Sequence, residues 1–333
     1  MKKYNVAVVG TGAVGSTMLQ VMEERNFPVG NLKLLATSRS AGKKLSFQGK
    51  EYTIEETTPE AFEGIDIALF AGGKASELFA RIAADKGAVV IDNSSYFRMD
   101  PTVPLIVPEV NPEDVWLHQG IIANPNCSTI QMVVALKPLY DYARIKRVVV
   151  ATYQAVSGAG QEAMDELAAQ SRQYMNDEEI SVEVFQHQIA YNLIPQIDVF
   201  LDNDYTKEEM KMVYETRKMF HDDEIAIAAT TVRVPIFRSH SEAIHVEFEK
   251  EITPEKAREL LAKAPGIIIQ DSPKDKMYPM PWFTSDTDEV YVGRIRKDIS
   301  CKNGLVMFVV ADQLRKGAAT NAVQIAELLI KGK

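Results

Sequence analysis

The chain has 333 residues, of which 46% are apolar and 25% are charged, so it is long enough to form a large core and two domains. Its net charge of -9 argues against a general nucleic-acid binder, and no apolar run approaches the roughly 20 residues of a membrane-spanning helix. With two cysteines, no CxxC and no cleavable signal pattern in MKKYNVAVVG, we expect a cytoplasmic protein without a disulfide framework or a metal site.

The first third of the chain alternates strand-like and helix-like segments. The run YNVAVVG stops at a glycine, and helical spacing follows at Met18, Leu19 and Met22. The cycle continues through NLKLLAT, IDIALFAGG, KASELFARIAADKG and AVVIDNSS. Strands that alternate with helices form a mainly parallel sheet covered on both faces. The pattern therefore predicts an α/β fold with a Rossmann-type dinucleotide-binding domain over residues 1–126.

A glycine pattern joins the first strand to the first helix. Gly10, Gly12 and Gly15 form GxGxxG, which permits a tight turn and brings backbone N–H groups close to a pyrophosphate at the positive end of the helix. The alternative is a turn that only packs strand against helix, and the flanking elements favour the dinucleotide. The predicted cofactor contacts in this turn are Gly10, Thr11, Gly12, Ala13, Val14 and Gly15.

The segment after the second predicted strand, ATSRSAGKK, has no acidic residue. An NAD site normally has a carboxylate there for the ribose 2′-hydroxyl. Arg39, Ser40 and Lys43 could instead receive a 2′-phosphate. We therefore predict NADP rather than NAD, with a solvated basic loop as the alternative interpretation.

Cys127 lies in IIANPNCSTIQ, directly after an Asn-Pro-Asn turn. From Ser128 onward the apolar spacing is that of a helix, so the thiol is predicted at a helix N-terminus. The N–H groups and the dipole there favour a thiolate and can hold a developing oxyanion. A buried cysteine that acts as a small apolar residue is the alternative. Cys301, before an Asn-Gly turn, is interpreted as structural.

After Cys127 the chain changes to longer β-rich runs, with polar helices near 160–175 and 206–220. This texture predicts an α+β second domain with a large mixed sheet over residues 127–313. The closing segment 314–333 has an apolar helical stripe and is predicted to complete the NADP-binding domain. The stripe comprises Ala318, Ala322, Ile325, Ala326 and Leu329.

A nucleophilic cysteine needs a proton partner, and the chain has five histidines. In RSHSEAIHVEFE, His240 shares strand parity with Ile244 and Val246, whereas His245 shares it with Glu247. His240 is therefore predicted to point inward at a strand end, and His245 to face solvent. Parity alone leaves a satisfied core histidine as the alternative for His240.

Five collinear blocks are long enough to indicate a family. They are NPNCSTIQ, YQAVSGAGQEA, TTVRVPIFRSHSEA, DNSSYFRMD followed by PLIVPEVN, and RKGAATNAVQIAE. Together they closely resemble the aspartate-semialdehyde dehydrogenase family over essentially the whole chain. The resemblance implies reductive dephosphorylation of aspartyl phosphate with NADPH, giving aspartate semialdehyde and inorganic phosphate, for lysine, threonine and methionine synthesis. It also implies that residues 127–313 form the catalytic and dimerisation domain and that the protein is a homodimer or a homotetramer.

The resemblance also implies the site residues. Cys127 would be the nucleophile, His240 the acid/base, and Gln154 the residue that positions the intermediate. The substrate and phosphate set would be Arg98 and Lys211 for phosphate, Arg233 and Glu208 for the carboxylate and amino groups, and Asn126. Ser157, Gly158 and Gln313 would lie beside the cofactor.

Two positions depart from the family pattern. GTGAVG is one residue shorter than the usual GxTGxVG turn, and Gln313 replaces an asparagine before LRKGAA.

Taken alone, Glu208 and Lys211 in TKEEMKMVYE would pass as a surface pair of little energetic value. The remaining functional alternatives are an N-acetyl-γ-glutamyl-phosphate reductase, a phosphorylating glyceraldehyde-type dehydrogenase and a non-catalytic dinucleotide-binding sensor.

Overall fold

The computed structural model describes residues 2–332. The α-helices in this part of the chain are α1 (Ala13–Glu24), α2 (Lys74–Asp85), α3 (Cys127–Ala143), α4 (Gln161–Met175), α5 (Lys207–Phe220), α6 (Pro254–Lys263), α7 (Pro281–Thr284) and α8 (Thr320–Lys331). The strands are β1 (Tyr4–Val9), β2 (Val29–Ala36), β3 (Lys44–Phe47), β4 (Lys50–Glu56), β5 (Ile67–Phe70), β6 (Val89–Asp92), β7 (Ile121–Ala123), β8 (Ile145–Gln154), β9 (Ala226–Arg233), β10 (His240–Phe248), β11 (Ile267–Ile269), β12 (Val290–Lys297) and β13 (Gly304–Ala311).

The chain divides into two compact units. One comprises Met1–Asn126 with Ala318–Lys333, and the other comprises Cys127–Gly317. No helix within residues 2–332 is long and apolar enough to cross a membrane.

The first unit contains a seven-stranded sheet in the order β3-β4-β2-β1-β5-β6-β7. Every strand pair is parallel except the β3–β4 hairpin. Val6–Val9 in β1 are all buried, as expected for an inner strand covered by helices on both faces. Helix α8 contributes Ala322, Ile325 and Ala326 to the same core. The predicted Rossmann-type architecture is confirmed.

The second unit contains a six-stranded mixed sheet in the order β11-β12-β13-β10-β8-β9. The pairs β8–β9 and β11–β12 are parallel, and the others are antiparallel. Strand β10 alternates between buried residues such as Ile244 and Val246 and the exposed His245. The predicted α+β unit with a large mixed sheet is confirmed, and its strand register brings the candidate catalytic side chains together.

Candidate active site

Cys127 is the first residue of α3, as the sequence predicts. The first turn of α3 contains no acidic residue, so no carboxylate competes there with a thiolate. The π-helical turn Arg315–Ala319 passes close by, because a Cβ built on Gly317 would lie 3.0 Å from the Cβ of Cys127. Because residue 317 is a glycine, no side chain occupies the space beside Cys127.

Strand pairing places three polar side chains at one end of the second sheet. Gln154 of β8 pairs with Arg233 of β9, and Ser241 of β10 pairs with Tyr153, so that His240 comes beside Gln154. We refer to His240, Gln154 and Arg233 as the catalytic row. All three are buried, with 0, 1 and 6% of their surface exposed, and the inward orientation of His240 is confirmed.

A backbone hydrogen bond fixes the tautomer of His240. The N–H of Ala155 donates to His240 Nδ1 over 3.0 Å, so Nδ1 is an acceptor and the ring proton lies on Nε2. Burial, and then the charge of Arg233, lower the pKa of His240 to about 3, although Glu208 opposes the shift. Nε2 has no hydrogen-bond partner among the described residues. At neutral pH the ring is therefore neutral and presents an N–H donor.

The backbone of Gly158 lies against this ring. A Cβ built on Gly158 would lie 2.9 Å from Arg233 Nη1 and 3.2 Å from His240 Nε2. Any larger residue would displace one of these side chains. Gly158 therefore lets the turn Val156–Ala159 approach the catalytic row.

The carboxamide of Gln154 is held at both ends. Its Oε1 accepts from Thr152 Oγ1 over 3.0 Å, and its Nε2 donates to Glu208 Oε1 over 3.2 Å. These two bonds identify the oxygen and nitrogen ends of the amide.

Glu208 and Lys211 are part of this network and are not a surface pair. They lie on α5, which begins after a capping box formed by Thr206 and Glu209. Lys211 Nζ is 2.9 Å from Glu208 Oε2 and 2.9 Å from Asp198 Oδ2, and only 5% of Glu208 is exposed. Burial alone would lower the pKa of Lys211, but the two carboxylates outweigh it and raise that pKa above its ordinary value. The surface-pair interpretation of TKEEMKMVYE is therefore wrong.

Arg233 brings a buried positive charge to the row. Its Nη1 donates to the carbonyl of Ala155 over 2.6 Å. Burial lowers the pKa of Arg233, while the negative charges of Glu208 and the Cys127 thiolate oppose that shift. The guanidinium is thus near enough to Cys127 to stabilise its ionised form.

Gln313 holds two neighbouring segments together. Its Oε1 accepts from the N–H of Ser239 over 2.8 Å, and its Nε2 donates to Ser157 Oγ. Ser239 precedes His240 and has a left-handed φ of 69°. In this structure both ends of the Gln313 carboxamide are used within the chain, so its effect on a cofactor would pass through Ser157.

The glycine turn of the first unit fits a dinucleotide. A Cβ on Gly15 would lie 1.8 Å from the carbonyl oxygen of Gly10, so only glycine allows this packing. Nothing lies within 4 Å of a Cβ built on Gly12, which is the N-cap of α1 and makes no side-chain capping bond. The backbone N–H groups of Thr11, Ala13 and the adjoining residues at this uncapped helix end can therefore donate hydrogen bonds to a pyrophosphate. Arg39 is exposed and Ser40 partly exposed in the turn after β2.

Arg98 and Asn126 are also in the first unit, and both are buried. Arg98 Nε donates to the carbonyl of Asn124 over 2.9 Å, and its Nη2 donates to the carbonyl of Asn93 over 3.0 Å. Carbonyl anchors of this kind fix the direction in which a guanidinium presents its remaining donors.

Sequence reasoning missed the residues that hold these groups. Asp198, Thr152 and Ser239 were not candidates, although each forms a hydrogen bond with a candidate site residue. Thr152 could have been found, because it lies two residues before Gln154 and therefore on the same face of a strand. Asp198 lies in an irregular segment without a local signal.

Two family models match the chain. The NAD binding domain of semialdehyde dehydrogenases matches residues 5–118, and the dimerisation domain of semialdehyde dehydrogenases matches residues 136–316. The two matched ranges contain all but two of the candidate site residues predicted from the sequence. Those two, Asn126 and Cys127, fall between the matched ranges.

Individual relatives match over almost their full length. The aspartate-semialdehyde dehydrogenase of Aquifex aeolicus is 61% identical over 334 residues, which cover 98% of each chain. The structure of aspartate semialdehyde dehydrogenase II from Vibrio cholerae, complexed with ASA, has a TM-score of 0.97 at 50% identity over 99% of each chain. The Candida albicans enzyme with NADP has a TM-score of 0.78 at 26% identity, also over 99% of each chain. On this similarity of sequence and fold, the chain belongs to the aspartate-semialdehyde dehydrogenase family.

Proposed function

We propose that the chain catalyses the NADPH-dependent reductive dephosphorylation of L-aspartyl 4-phosphate to L-aspartate 4-semialdehyde through a thioester on Cys127. Family membership supports this reaction, which serves lysine, threonine and methionine synthesis. The observation that carries the proposal is the catalytic row, which presents a neutral N–H donor and a buried guanidinium next to the thiol at the start of α3. We also propose that the two compact units are the NADP-binding domain and the catalytic and dimerisation domain.

In the first step the Cys127 thiolate attacks the acyl carbon of the phosphorylated substrate. A carbon–sulfur bond forms, the bond from carbon to the phosphate oxygen breaks, and inorganic phosphate leaves. The N–H groups of the first turn of α3 can stabilise the oxyanion of this step. Arg98 and Lys211, assigned by family resemblance, would neutralise the phosphate.

Bound NADPH would supply the hydride that reduces the thioester. Residues 10–15, Arg39 and Ser40 would hold the dinucleotide, and Ser157 and Gly158 would lie beside it. Gln313 would act by fixing Ser157. A contact between Arg39 and the 2′-phosphate of the cofactor would account for NADP rather than NAD as the cofactor.

His240 would act as a hydrogen-bond donor in both steps. Its Nε2–H can bind the substrate oxygen while negative charge develops there, much as a neutral imidazole polarises a carbonyl elsewhere. Nε2 already carries the ring proton and Nδ1 already accepts the Ala155 N–H, so neither ring nitrogen has a free lone pair that could take the Cys127 proton. This geometry therefore favours the donor function of His240 over the base function within the predicted acid/base role.

The other end of the substrate would bind to the buried charges around Gln154. Arg233 is assigned to the substrate carboxylate, Glu208 to its amino group, and Asn126 to the same substrate set. We further propose a homodimer, supported by the match to a dimerisation domain. A homotetramer and a cytoplasmic location stay predictions from the sequence.

The test is phosphate-dependent reduction of NADP with aspartate semialdehyde. We expect turnover that requires phosphate, and little turnover with N-acetylglutamate semialdehyde. The opposite substrate preference would identify an N-acetyl-γ-glutamyl-phosphate reductase, and NADP binding without turnover of either aldehyde would identify a sensor.

A further inference from the structure

A glutamate that the proposed chemistry does not use is fully buried beneath the catalytic row. Glu242 lies on β10 two residues after His240, so both side chains point to the same face of the sheet. Glu242 is 0% exposed, and neither of its carboxyl oxygens has a hydrogen-bond partner in the described part of the chain. A carboxyl group in such a place costs stability unless it makes a specific interaction.

The strand register places Glu242 in a second polar row. Glu242 pairs with Thr152 of β8, and Thr152 pairs with Thr231 of β9. We call these three residues the inner row, since each lies two positions from a member of the catalytic row. Thr152 already supports that row, because its hydroxyl donates to Gln154 Oε1.

Gln131, on α3, contacts the backbone of the catalytic row. Its Nε2 is 3.4 Å from the carbonyl oxygen of His240. Its Oε1 is buried and has no partner among residues 2–332. Gln131 lies four residues after Cys127, one helical turn along the same side of α3.

The two incomplete groups match each other chemically. Burial raises the pKa of Glu242 well above its ordinary value, and the adjacent Gln131 amide offsets only part of that effect. A protonated carboxyl group has one O–H to donate, and Gln131 Oε1 is an acceptor that lacks a donor. A hydrogen bond from this O–H to Gln131 Oε1 would satisfy both buried groups at once.

We propose that Glu242 is a positioning residue, whose carboxyl O–H donates to Gln131 Oε1 and thereby fixes the amide that links α3 to the backbone of His240. This inference rests on the proposed function, because it assigns Glu242 to the alignment of Cys127 with His240. The series of hydrogen bonds then runs from Glu242 through Gln131 to the His240 carbonyl. Cys127 lies one turn away on the same helix as Gln131. Loss of the link would let the helix and the strand move independently.

The experiment compares Glu242→Leu, Glu242→Gln and Gln131→Leu. Leucine keeps the volume but removes the donor, so we expect kcat to fall roughly ten- to hundredfold with little change in KM, as for a small misplacement of reacting groups. Gln131→Leu should give the same pattern. Glu242→Gln restores a neutral N–H donor and should recover most of the lost turnover. Glu247→Gln removes a carboxylate from the opposite face of the same strand and should leave turnover as in the wild type.

Two readouts do not depend on turnover. The infrared spectrum should contain the C=O band of a protonated, deuterium-sensitive carboxyl group that disappears in Glu242→Gln. Alkylation of Cys127 should become slower in Glu242→Leu and recover in Glu242→Gln. An ionised Glu242 in the infrared spectrum, a Glu242→Gln enzyme as impaired as Glu242→Leu, or a fully active Glu242→Leu enzyme would each overturn the inference. If the wild type fails to turn over aspartate semialdehyde, the proposed function fails, while these two readouts still decide whether the link exists.

Discussion

The neutral state of His240 should make the protein acid-sensitive in a way that one substitution removes. The folded state holds the pKa of His240 at about 3, against 6.5 for an ordinary histidine, because the ring is buried beside Arg233. Above pH 6.5 the ring is neutral in both the folded and the unfolded state. As the pH falls below 6.5, the unfolded state gains a proton that the folded state does not, so stability is lost until about pH 3.

The size of this loss follows from the shift. Since a tenfold change in a protonation equilibrium is worth about 1.4 kcal/mol, lowering the pKa of His240 from 6.5 to about 3 makes the full loss of stability about 5 kcal/mol. At pH 4, which is about 2.5 pH units below 6.5, the loss is about 3.5 kcal/mol. Other groups add their own pH dependence, so the quantity to compare is the difference between two variants.

The matched variant is His240→Asn. Its side-chain oxygen can accept the Ala155 N–H in place of Nδ1, but the residue does not titrate. Denaturant unfolding of both proteins at pH 7 and pH 4 gives the free energies of unfolding. We expect the wild type to lose about 3.5 kcal/mol more than His240→Asn between these pH values. Equal losses would show that His240 takes up its proton in the folded state as readily as in the unfolded state, which contradicts a neutral His240 ring.

Three further predictions concern the substrate and cofactor groups. Cys127→Ala should abolish turnover while NADP binding is retained, and Cys301→Ala should stay active; substantial turnover by Cys127→Ala would contradict a covalent mechanism. Lys211→Ala should mainly raise the KM for phosphate and Arg233→Ala the KM for the semialdehyde, which steady-state kinetics in the oxidative direction can separate; an unchanged phosphate KM would remove Lys211 from the phosphate site. Arg39→Ala should weaken NADP binding by roughly ten- to a hundredfold, the value of one charge-assisted hydrogen bond, with little change for NAD; equal losses in titrations of both cofactors would mean that Arg39 shapes the loop only.

Local patterns sufficed wherever a feature depends on neighbours in the chain. The start of α3 at Cys127 was predictable because a turn and a helical pattern meet at that residue. The inward side of β10 was predictable because strand alternation alone decides between His240 and His245. Gly15 was predictable because the strand, turn and helix around it are contiguous.

Features that depend on pairing between distant segments were not predictable. The burial of Glu208 arises from packing of α5 against β9, and no periodicity in TKEEMKMVYE indicates it. The tautomer of His240 depends on the N–H of Ala155, which lies 85 residues away in the chain. The catalytic row needs the register of β8, β9 and β10, which the sequence of any single strand does not contain.

The same register decides which length changes the protein can accept. Adding one residue within β10 would turn every later side chain to the opposite face, and it would separate Glu242 from His240 or exchange the buried and exposed sides. The turn between β12 and β13 lies at the other end of β10, where Gly304 pairs with Glu247, so extra residues there leave His240 in place. We therefore expect insertions and deletions to be tolerated at this hairpin. Within β8, β9 and β10 they should abolish activity, even where single substitutions in those strands are harmless.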